Sequence, residues 1–121
     1  AAHYRRTAER LGLIPPSVIL CPQDTTTLNY IAHPATQGLG HVGTKPGKSL
    51  GMLLHTTLAL NSQGQFLGLL GAQCWSRPKR KASRRARSRQ QKNIRQKESF
   101  RWLESFRHVD ALAKASPQHQ W

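Results

Sequence analysis

The chain has 121 residues, and its 19 lysines and arginines against five aspartates and glutamates give a formal net charge of +14. The hydrophobic fraction of 37% is modest, so we expect about one domain with a small core and a partly solvated chain. No apolar run approaches the ~20 residues of a membrane span. The two cysteines, Cys21 and Cys74, lack the spacing of a zinc finger or a disulfide framework. The excess of positive charge indicates a polyanion as the partner.

A short helix is predicted at the N-terminus. Tyr4, Ala8 and Leu11 recur at i, i+4 and i+7, and a glycine that can end the helix follows directly. Two consecutive prolines then impose an extended chain. We therefore expect residues 1–16 to form an N-terminal helix and linker, and residues 17–121 to form the core domain.

Three strands are predicted in the first two thirds of the chain. The apolar run 18–21 suits a short buried strand. The longer apolar runs 50–60 and 66–75 are joined by five residues that include a glycine, which predicts a β-hairpin. Both faces of the run 50–60 are largely apolar, as in a central strand that is covered on both sides. The glycine- and proline-rich stretch 33–48 predicts a loop.

The positive charge is concentrated in residues 77–97, which we call the basic segment. It contains eleven of the 19 basic residues and no acidic residue. Charges of one sign repel one another, so we expect a flexible insertion. It is either a solvated loop without a role or, as we favour, a binding site for nucleic-acid phosphates; its lack of aromatic side chains predicts sequence-independent contact. The candidate DNA-binding residues are Arg77, Lys79, Arg80, Lys81, Arg84, Arg85, Arg87 and Arg89.

A second helix is predicted after the basic segment. Its apolar stripe consists of Trp102, Leu103, Phe106, Val109 and Ala113. A proline four residues after the stripe ends the helix. The order of elements is therefore helix, strand, hairpin and helix, which predicts an α/β fold in which a helix covers three strands.

One acidic residue, Asp24, stands apart from other charges. It follows the first predicted strand and precedes three threonines. A carboxylate at the end of a strand is a suitable ligand for Mg²⁺. The same side chain could instead accept hydrogen bonds from the amides of residues 25–27 in an Asx-turn or cap, and the local sequence favours this second interpretation. His55, in the predicted central strand, is expected to be a hydrogen-bonded core residue.

Several short motifs occur together in an order that is specific to one protein family. They are Gln23-Asp24-Thr25-Thr26-Thr27, Leu53-Leu54-His55-Thr56-Thr57-Leu58-Ala59, Trp75-Ser76-Arg77-Pro78 and Lys97-Glu98-Ser99-Phe100-Arg101-Trp102-Leu103. In this order the motifs resemble the bacterial insertion-sequence transposases of the DDE superfamily, in the IS-four branch that includes the Tn-five enzyme. The resemblance extends from about residue 18 to about residue 106.

The resemblance implies a ribonuclease H-like fold, here an incomplete core of three antiparallel strands and a covering helix with a disordered basic insertion. It implies that Asp24 is the first of three catalytic carboxylates, which hold two Mg²⁺ or Mn²⁺ ions and promote cutting and joining of DNA at transposon ends. The implied location is the bacterial cytoplasm, in association with the nucleoid. The implied partners are the phosphate backbone of transposon-end DNA and a full-length transposase.

The chain departs from the family pattern at the other two carboxylates. In the family, the second aspartate lies in an Asp-Arg-Glu-x-Asp type of box after the helix, and the third acid lies in a Tyr-Arg-Glu-Lys type of box. Neither box occurs in this chain, and Asp110 lies within the predicted helix. We therefore expect a truncated transposase core that is inactive alone and does not bind metal tightly. The alternative is a small standalone basic nucleic-acid-binding protein.

Overall fold

The computed structural model describes residues 2–33, 35–42, 49–77 and 97–121. In this part of the chain it shows an α/β fold in which two helices accompany one antiparallel sheet of five strands. The elements are α1 (Ala2–Leu13), β1 (Ile19–Leu20), β2 (Gln23–Asn29), β3 (Gly40–His41), β4 (Leu50–Asn61), β5 (Phe66–Trp75) and α2 (Phe100–Ala115). The predicted α/β class and the predicted hairpin, β4 with β5, are confirmed.

Strand β4 is the centre of the sheet. Its residues pair with β1 and β2 on one side, through Leu20 opposite Leu60 and Asp24 opposite Thr56. On the other side β4 pairs with β5 and, near its start, with β3. The sheet therefore has five strands where three were predicted. It is nevertheless three strands wide along most of β4, because β1 and β2 share one side and β3 and β5 share the other.

The boundaries of the first strands differ from the prediction. Strand β1 contains only two residues, and Asp24 lies inside β2 rather than beyond the end of a strand. Pro22 separates β1 from β2 because it has no amide hydrogen for the ladder, although its carbonyl still accepts a bond of 3.1 Å from the Leu58 amide. The predicted loop 33–48 contains β3, which pairs at Gly40 with Gly51.

The turn between β4 and β5 is organised by Asn61. Its Oδ1 accepts hydrogen bonds from the amides of Gln63 and Gln65, at 3.0 and 2.8 Å. Gly64 follows with φ of 77°, a conformation that glycine adopts without steric cost. The glycine of the predicted connection is therefore required by the turn itself.

Both helices lie on the same face of the sheet. In α1, the buried Thr7 donates a hydrogen bond of 2.9 Å to the Leu69 carbonyl of β5. The core consists of Leu11, Ile19, Ala59 and Leu70. Partly buried side chains pack against this core, and those from α2 and the C-terminal segment are Val109, Leu112 and Trp121.

Alternation along β4 defines two faces of the sheet. The covered face carries Leu53, His55, Thr57 and Ala59, all of which are buried beneath the helices. The opposite face, which we call the open face, carries the half-buried residues Met52, Leu54, Thr56, Leu58 and Leu60. The prediction that β4 is covered on both sides is wrong for the described residues, since both described helices contact the covered face.

Helix α2 packs through a stripe that matches the predicted one only in part, at Trp102 and Val109. Trp102 is 45% exposed and Phe106 is 61% exposed, whereas Ser105 is buried. The residues that approach the sheet are spaced by three or four positions along one side of α2: Trp102, Ser105, Val109 and Leu112. The predicted stripe omitted Ser105 because a serine carries no hydrophobic signal.

The chain after α2 returns to the edge of the sheet beside β1. The Ile19 amide donates a 2.7 Å hydrogen bond to the Gln120 carbonyl, and the Gln120 amide donates a 3.0 Å bond to the Ser17 carbonyl. These bonds form a parallel bridge between Val18 and Gln120. Because α2 lies between β5 and this bridge, the chain crosses the covered face from one side of the sheet to the other.

Candidate nucleic-acid interface and metal-binding carboxylate

Asp24 lies on the open face of the sheet. Its neighbour Thr25 points to the covered face, where its hydroxyl lies 2.8 Å from Nδ1 of His55. Because successive side chains of a strand point to opposite faces, Asp24 points away from the helices. It is exposed and pairs directly with Thr56 of β4.

The alternative interpretation of Asp24 as an Asx-turn or cap is not what the structure shows. Residues 25–27 continue β2 and pair with β4 from His55 back to Leu53. Their amides therefore belong to a strand rather than to a turn. The carboxylate remains directed to solvent, as a metal-binding role requires.

Of the five acidic residues, Asp24 is the one that lies in a strand. The other four lie in α1, in α2 or just before the start of α2. Glu9 pairs with Arg5, and Asp110 pairs with Lys114. In the described ranges, no group of three or more histidine, cysteine, aspartate or glutamate side chains is placed to hold a metal ion. The site therefore provides one carboxylate, with the Thr56 hydroxyl as its cross-strand neighbour.

His55 forms a polar cluster beneath α2, directly behind Asp24. It is 1% exposed, and its Nε2 lies 3.3 Å from Oε1 of Gln23 while Nδ1 faces the Thr25 hydroxyl. The ring of Trp102 packs on it with a centroid distance of 4.8 Å. Burial lowers the pKa of His55, so the imidazole is neutral at pH 7. The prediction of a hydrogen-bonded core histidine is confirmed.

Arg77, the first residue of the basic segment, forms an ion pair with Glu98, the residue that directly follows the segment. Arg77 donates to both carboxylate oxygens of Glu98, at 2.6 and 2.8 Å. The hydrogen bond from Arg77 lowers the pKa of Glu98, and the same bond raises the pKa of Arg77. Arg77 thus binds Glu98 in this structure, and its contact with DNA stays a prediction. The other candidate DNA-binding residues, between positions 79 and 89, lie outside the described residues.

An open groove of about 360 Å³ lies at this ion pair, between the N-terminus of α2 and the sheet. It is lined by Thr25, Thr27, Leu53, Trp75, Arg77, Glu98, Ser99 and Trp102. Behind it, the Arg101 guanidinium lies 4.1 Å from the centroid of the Trp75 ring and donates a 2.8 Å hydrogen bond to Gln73. We call this the Trp102 groove. Sequence reasoning missed it because four separate stretches of the chain form it.

No protein-family model matches this chain, and no curated protein sequence matches it significantly. Neither helix in the described part of the chain is long and apolar enough to cross a membrane.

Proposed function

We propose that the chain is part of the catalytic core of a DDE-superfamily DNA transposase, with a ribonuclease H-like arrangement of strands. In this proposal Asp24 supplies one metal-binding carboxylate and the basic segment holds DNA phosphates. The protein would act in the bacterial cytoplasm on nucleoid DNA, and a full-length transposase would be a further partner. The observation that carries the proposal is that the carboxylate of Asp24 points to solvent beside the central strand β4. Asp24 belongs to the motif of residues 23–27, which resembles that of the transposase family.

The order of the strands supports the ribonuclease H-like arrangement. The strand with the first carboxylate lies on one side of β4, and the hairpin partner β5 lies on the other. Helix α2 then crosses the sheet, and Gln120 begins a parallel pairing with Val18 on the outer side of β1. This placement suits a fold in which a further parallel strand extends the sheet at the edge of the carboxylate-bearing strands.

The residues at Asp24 fit part of a divalent metal site. A free carboxylate and a neighbouring hydroxyl are hard oxygen ligands, which Mg²⁺ and Mn²⁺ prefer. When bound with its full set of ligands, such an ion stabilises charge at a phosphodiester and activates the attacking oxygen. One carboxylate leaves most ligand positions to water, so we propose that this chain alone binds metal weakly and does not cut DNA.

The basic segment is proposed to bind the phosphate backbone. Its eleven cations are unaccompanied by acids in the sequence, and Arg77 at its start pairs with Glu98, the residue that directly follows it. For duplex DNA, the slope of log K against log salt is about −0.9 for each engaged phosphate. Six engaged cations would therefore give a slope of about −5.

A standalone nucleic-acid-binding protein is the second candidate function. It is favoured by the isolation of Asp24 from the other four acids, three of which pair with arginine or lysine. In that case the basic segment would bind nucleic acid and Asp24 would have no part in chemistry. The two candidates share the phosphate contact and differ in the role of Asp24.

A binding titration tests the shared part of the proposal. We would measure binding of a labelled duplex to the 121-residue chain over a range of salt concentrations. Replacing Arg84, Arg85 and Arg87 by glutamine should make the salt slope shallower by up to about 0.9 for each lost contact. A control chain in which the exposed Arg5, Arg6 and Arg107 are replaced by glutamine has the same net charge and should keep the slope. Equal changes in both chains would contradict a role for the basic segment.

Metal binding at Asp24 tests the transposase part. Mn²⁺ should broaden the NMR signals of residues next to Asp24 in β2 and β4, and Asp24→Asn should abolish that broadening without changing the fold. Broadening that is unaffected by Asp24→Asn would favour the second candidate. Mg²⁺-dependent nicking of DNA by the chain that is lost in Asp24→Ala would contradict the proposed inactivity of the chain alone.

A further inference from the structure

We infer that a cavity on the covered face of the sheet binds a small neutral molecule that combines one aromatic ring with one hydroxyl group, as phenol does. Neither DNA nor a metal ion takes part, so this site is independent of the proposed function. Three features of the described residues point to such a ligand. They are the volume of the cavity, a buried hydroxyl without a hydrogen-bond partner on its floor, and the charge at its mouth.

The cavity has a volume of about 160 Å³ and is lined by residues of α1, β4, β5 and α2. It exists where β5 carries a glycine. Gly71 pairs with Thr57 of β4, and because paired residues point to the same face of a sheet, a side chain at position 71 would project into this space. We therefore call it the Gly71 cavity. A cavity of about 150 Å³ accommodates a benzene-sized molecule, so its volume suits a single ring.

The floor of the Gly71 cavity includes a hydroxyl group without a partner. Thr57 is 1% exposed, and its Oγ1 makes no hydrogen bond within the described part of the chain. This oxygen lies 3.9 Å from the position that a Cβ on Gly71 would occupy, so it borders the cavity. A buried polar group without a partner is unfavourable. Because a hydroxyl can donate or accept, the hydroxyl of a bound molecule would supply the missing bond.

The rest of the lining favours an aromatic ring beside that hydroxyl. Leu70, at 3% exposure, adds apolar surface to the floor. Tyr4 lines the cavity from α1, and its hydroxyl donates a 3.3 Å hydrogen bond to the Ala72 carbonyl. This bond holds the phenol ring of Tyr4 against β5, where it can make an edge-to-face or offset contact with a second ring. The buried Ser105 lines the cavity from α2.

The charges around the cavity favour a neutral ligand. Glu104 of α2 lines the cavity, and no ion pair neutralises its carboxylate among the described residues. The arginines at i−3 and i+3, Arg101 and Arg107, are directed to the rings of Trp75 and Phe100. The free carboxylate would repel an anion at short range. The net charge of +14 disfavours a cation, which leaves an uncharged molecule.

The test titrates the 121-residue chain with phenol, with toluene, which carries a methyl group in place of the hydroxyl, and with benzoate. Phenol should bind with a Kd of roughly 0.1 to 1 mM, as a ligand of seven non-hydrogen atoms can. It should shift the NMR signals of residues 71–73 and 104–108, and it should raise the thermal midpoint with increasing concentration. Benzoate should bind roughly threefold more weakly, or worse, despite the positive net charge.

Thr57→Val tests the hydrogen bond. Valine keeps the shape of threonine and removes a buried polar group that has no partner, so the fold should be retained. The ratio of phenol affinity to toluene affinity should fall roughly 2- to 12-fold, which corresponds to one net hydrogen bond. Thr26→Val is the matched control, since Thr26 is exposed in β2 and does not line the cavity. It should leave the ratio unchanged.

Gly71→Ala tests the location. The atoms nearest to a Cβ there belong to Thr57, at 3.9 and 4.0 Å, so the added methyl group fits without a collision and occupies part of the cavity. This variant should lose affinity for phenol and remain folded, whereas Gly12→Ala, outside the cavity, should bind as the unmodified chain does. Absence of phenol binding to the unmodified chain would overturn the inference. So would an unchanged affinity ratio in Thr57→Val. Neither result would bear on DNA binding.

Discussion

On the covered face of β4, Leu53, His55, Thr57 and Ala59 are at most 5% exposed. On the open face the alternating residues of the same strand are all half-buried, and Asp24 on the neighbouring strand is exposed. The same strand therefore contributes to two different environments. The residues that stabilise the fold and the candidate metal-binding carboxylate therefore lie on opposite faces of the sheet. The helices bury the covered face and leave Asp24 on the open face.

The largest expected effect is a contrast between two leucines on opposite faces. Leu70 is 3% exposed in the core, so Leu70→Ala should lower the free energy of unfolding by about 2–5 kcal/mol. Leu58, on the open face, is already partly in contact with water, and Leu58→Ala should cost clearly less. Urea unfolding followed by circular dichroism measures both. Equal losses of unfolding free energy in the two variants would mean that Leu58 on the open face is buried to a similar extent as Leu70 in the core.

A smaller effect is expected where α1 meets β5. A Cβ at Gly68 would collide with the side chain of Thr7, so Gly68→Ala should push the helix from the covered face and cost about 1–3 kcal/mol. Gly12→Ala is the control, because nothing lies within 4 Å of a Cβ there and alanine favours the helix. The thermal midpoint should fall for the first variant and stay level or rise for the second. A level midpoint in Gly68→Ala would contradict the close contact of α1 with the sheet.

A still smaller effect is expected on the pH dependence of stability, and it arises from His55 on the covered face. Burial lowers the pKa of His55 below its ordinary value of 6.5. Below about pH 6.5 the unfolded chain therefore binds a proton that the folded chain does not, and stability should fall as the pH decreases toward the folded pKa.

His55→Gln isolates this contribution from those of the other histidines. Denaturation midpoints measured between pH 7.5 and 5.0 should decrease less steeply in this variant than in the unmodified chain. An unchanged slope would show that His55 takes up its proton as readily in the folded chain as in the unfolded one.

The smallest effect concerns the ion pair at the end of the covered face. The side chains of Arg77 and Glu98 are 39% and 48% exposed, and solvent weakens such pairs to about 0.2–1 kcal/mol. A double-mutant cycle with Arg77→Gln and Glu98→Gln should give a coupling in this range. Because pairing lowers the pKa of Glu98, this coupling should vanish as the pH falls through that pKa. A coupling that persists in strong acid would exclude the ion pair as its source.

The elements that could be predicted are those whose signal is local. The periodicity of Tyr4, Ala8 and Leu11 indicated α1, and the two long apolar runs with a glycine turn indicated β4 and β5. His55 was predicted to be buried because it lies in an apolar strand. These features follow from neighbouring residues, and the structure confirms them.

The features that the sequence predicted wrongly are those that depend on contacts between distant segments. The pairing of β2 decided that Asp24 lies within a strand, and the approach of α2 decided that Ser105 faces the sheet while Phe106 does not. Strand β3 is defined by the pairing of Gly40 with Gly51, and of His41 with Leu50, in β4. Each of these outcomes depends on which distant segment lies alongside, and periodicity within one segment carries no such information.

The sequence by itself determined the α/β class, the helices, the central hairpin, the concentrated positive charge and the identity of the one isolated carboxylate. Only the tertiary structure decided which face of the sheet the helices cover, that Asp24 lies on the other face, and that Trp102 lies in a groove at the ends of the basic segment. The physical reason is that composition and local periodicity set the conformation of each segment. The relative positions of side chains far apart in the chain are set by how those segments pack.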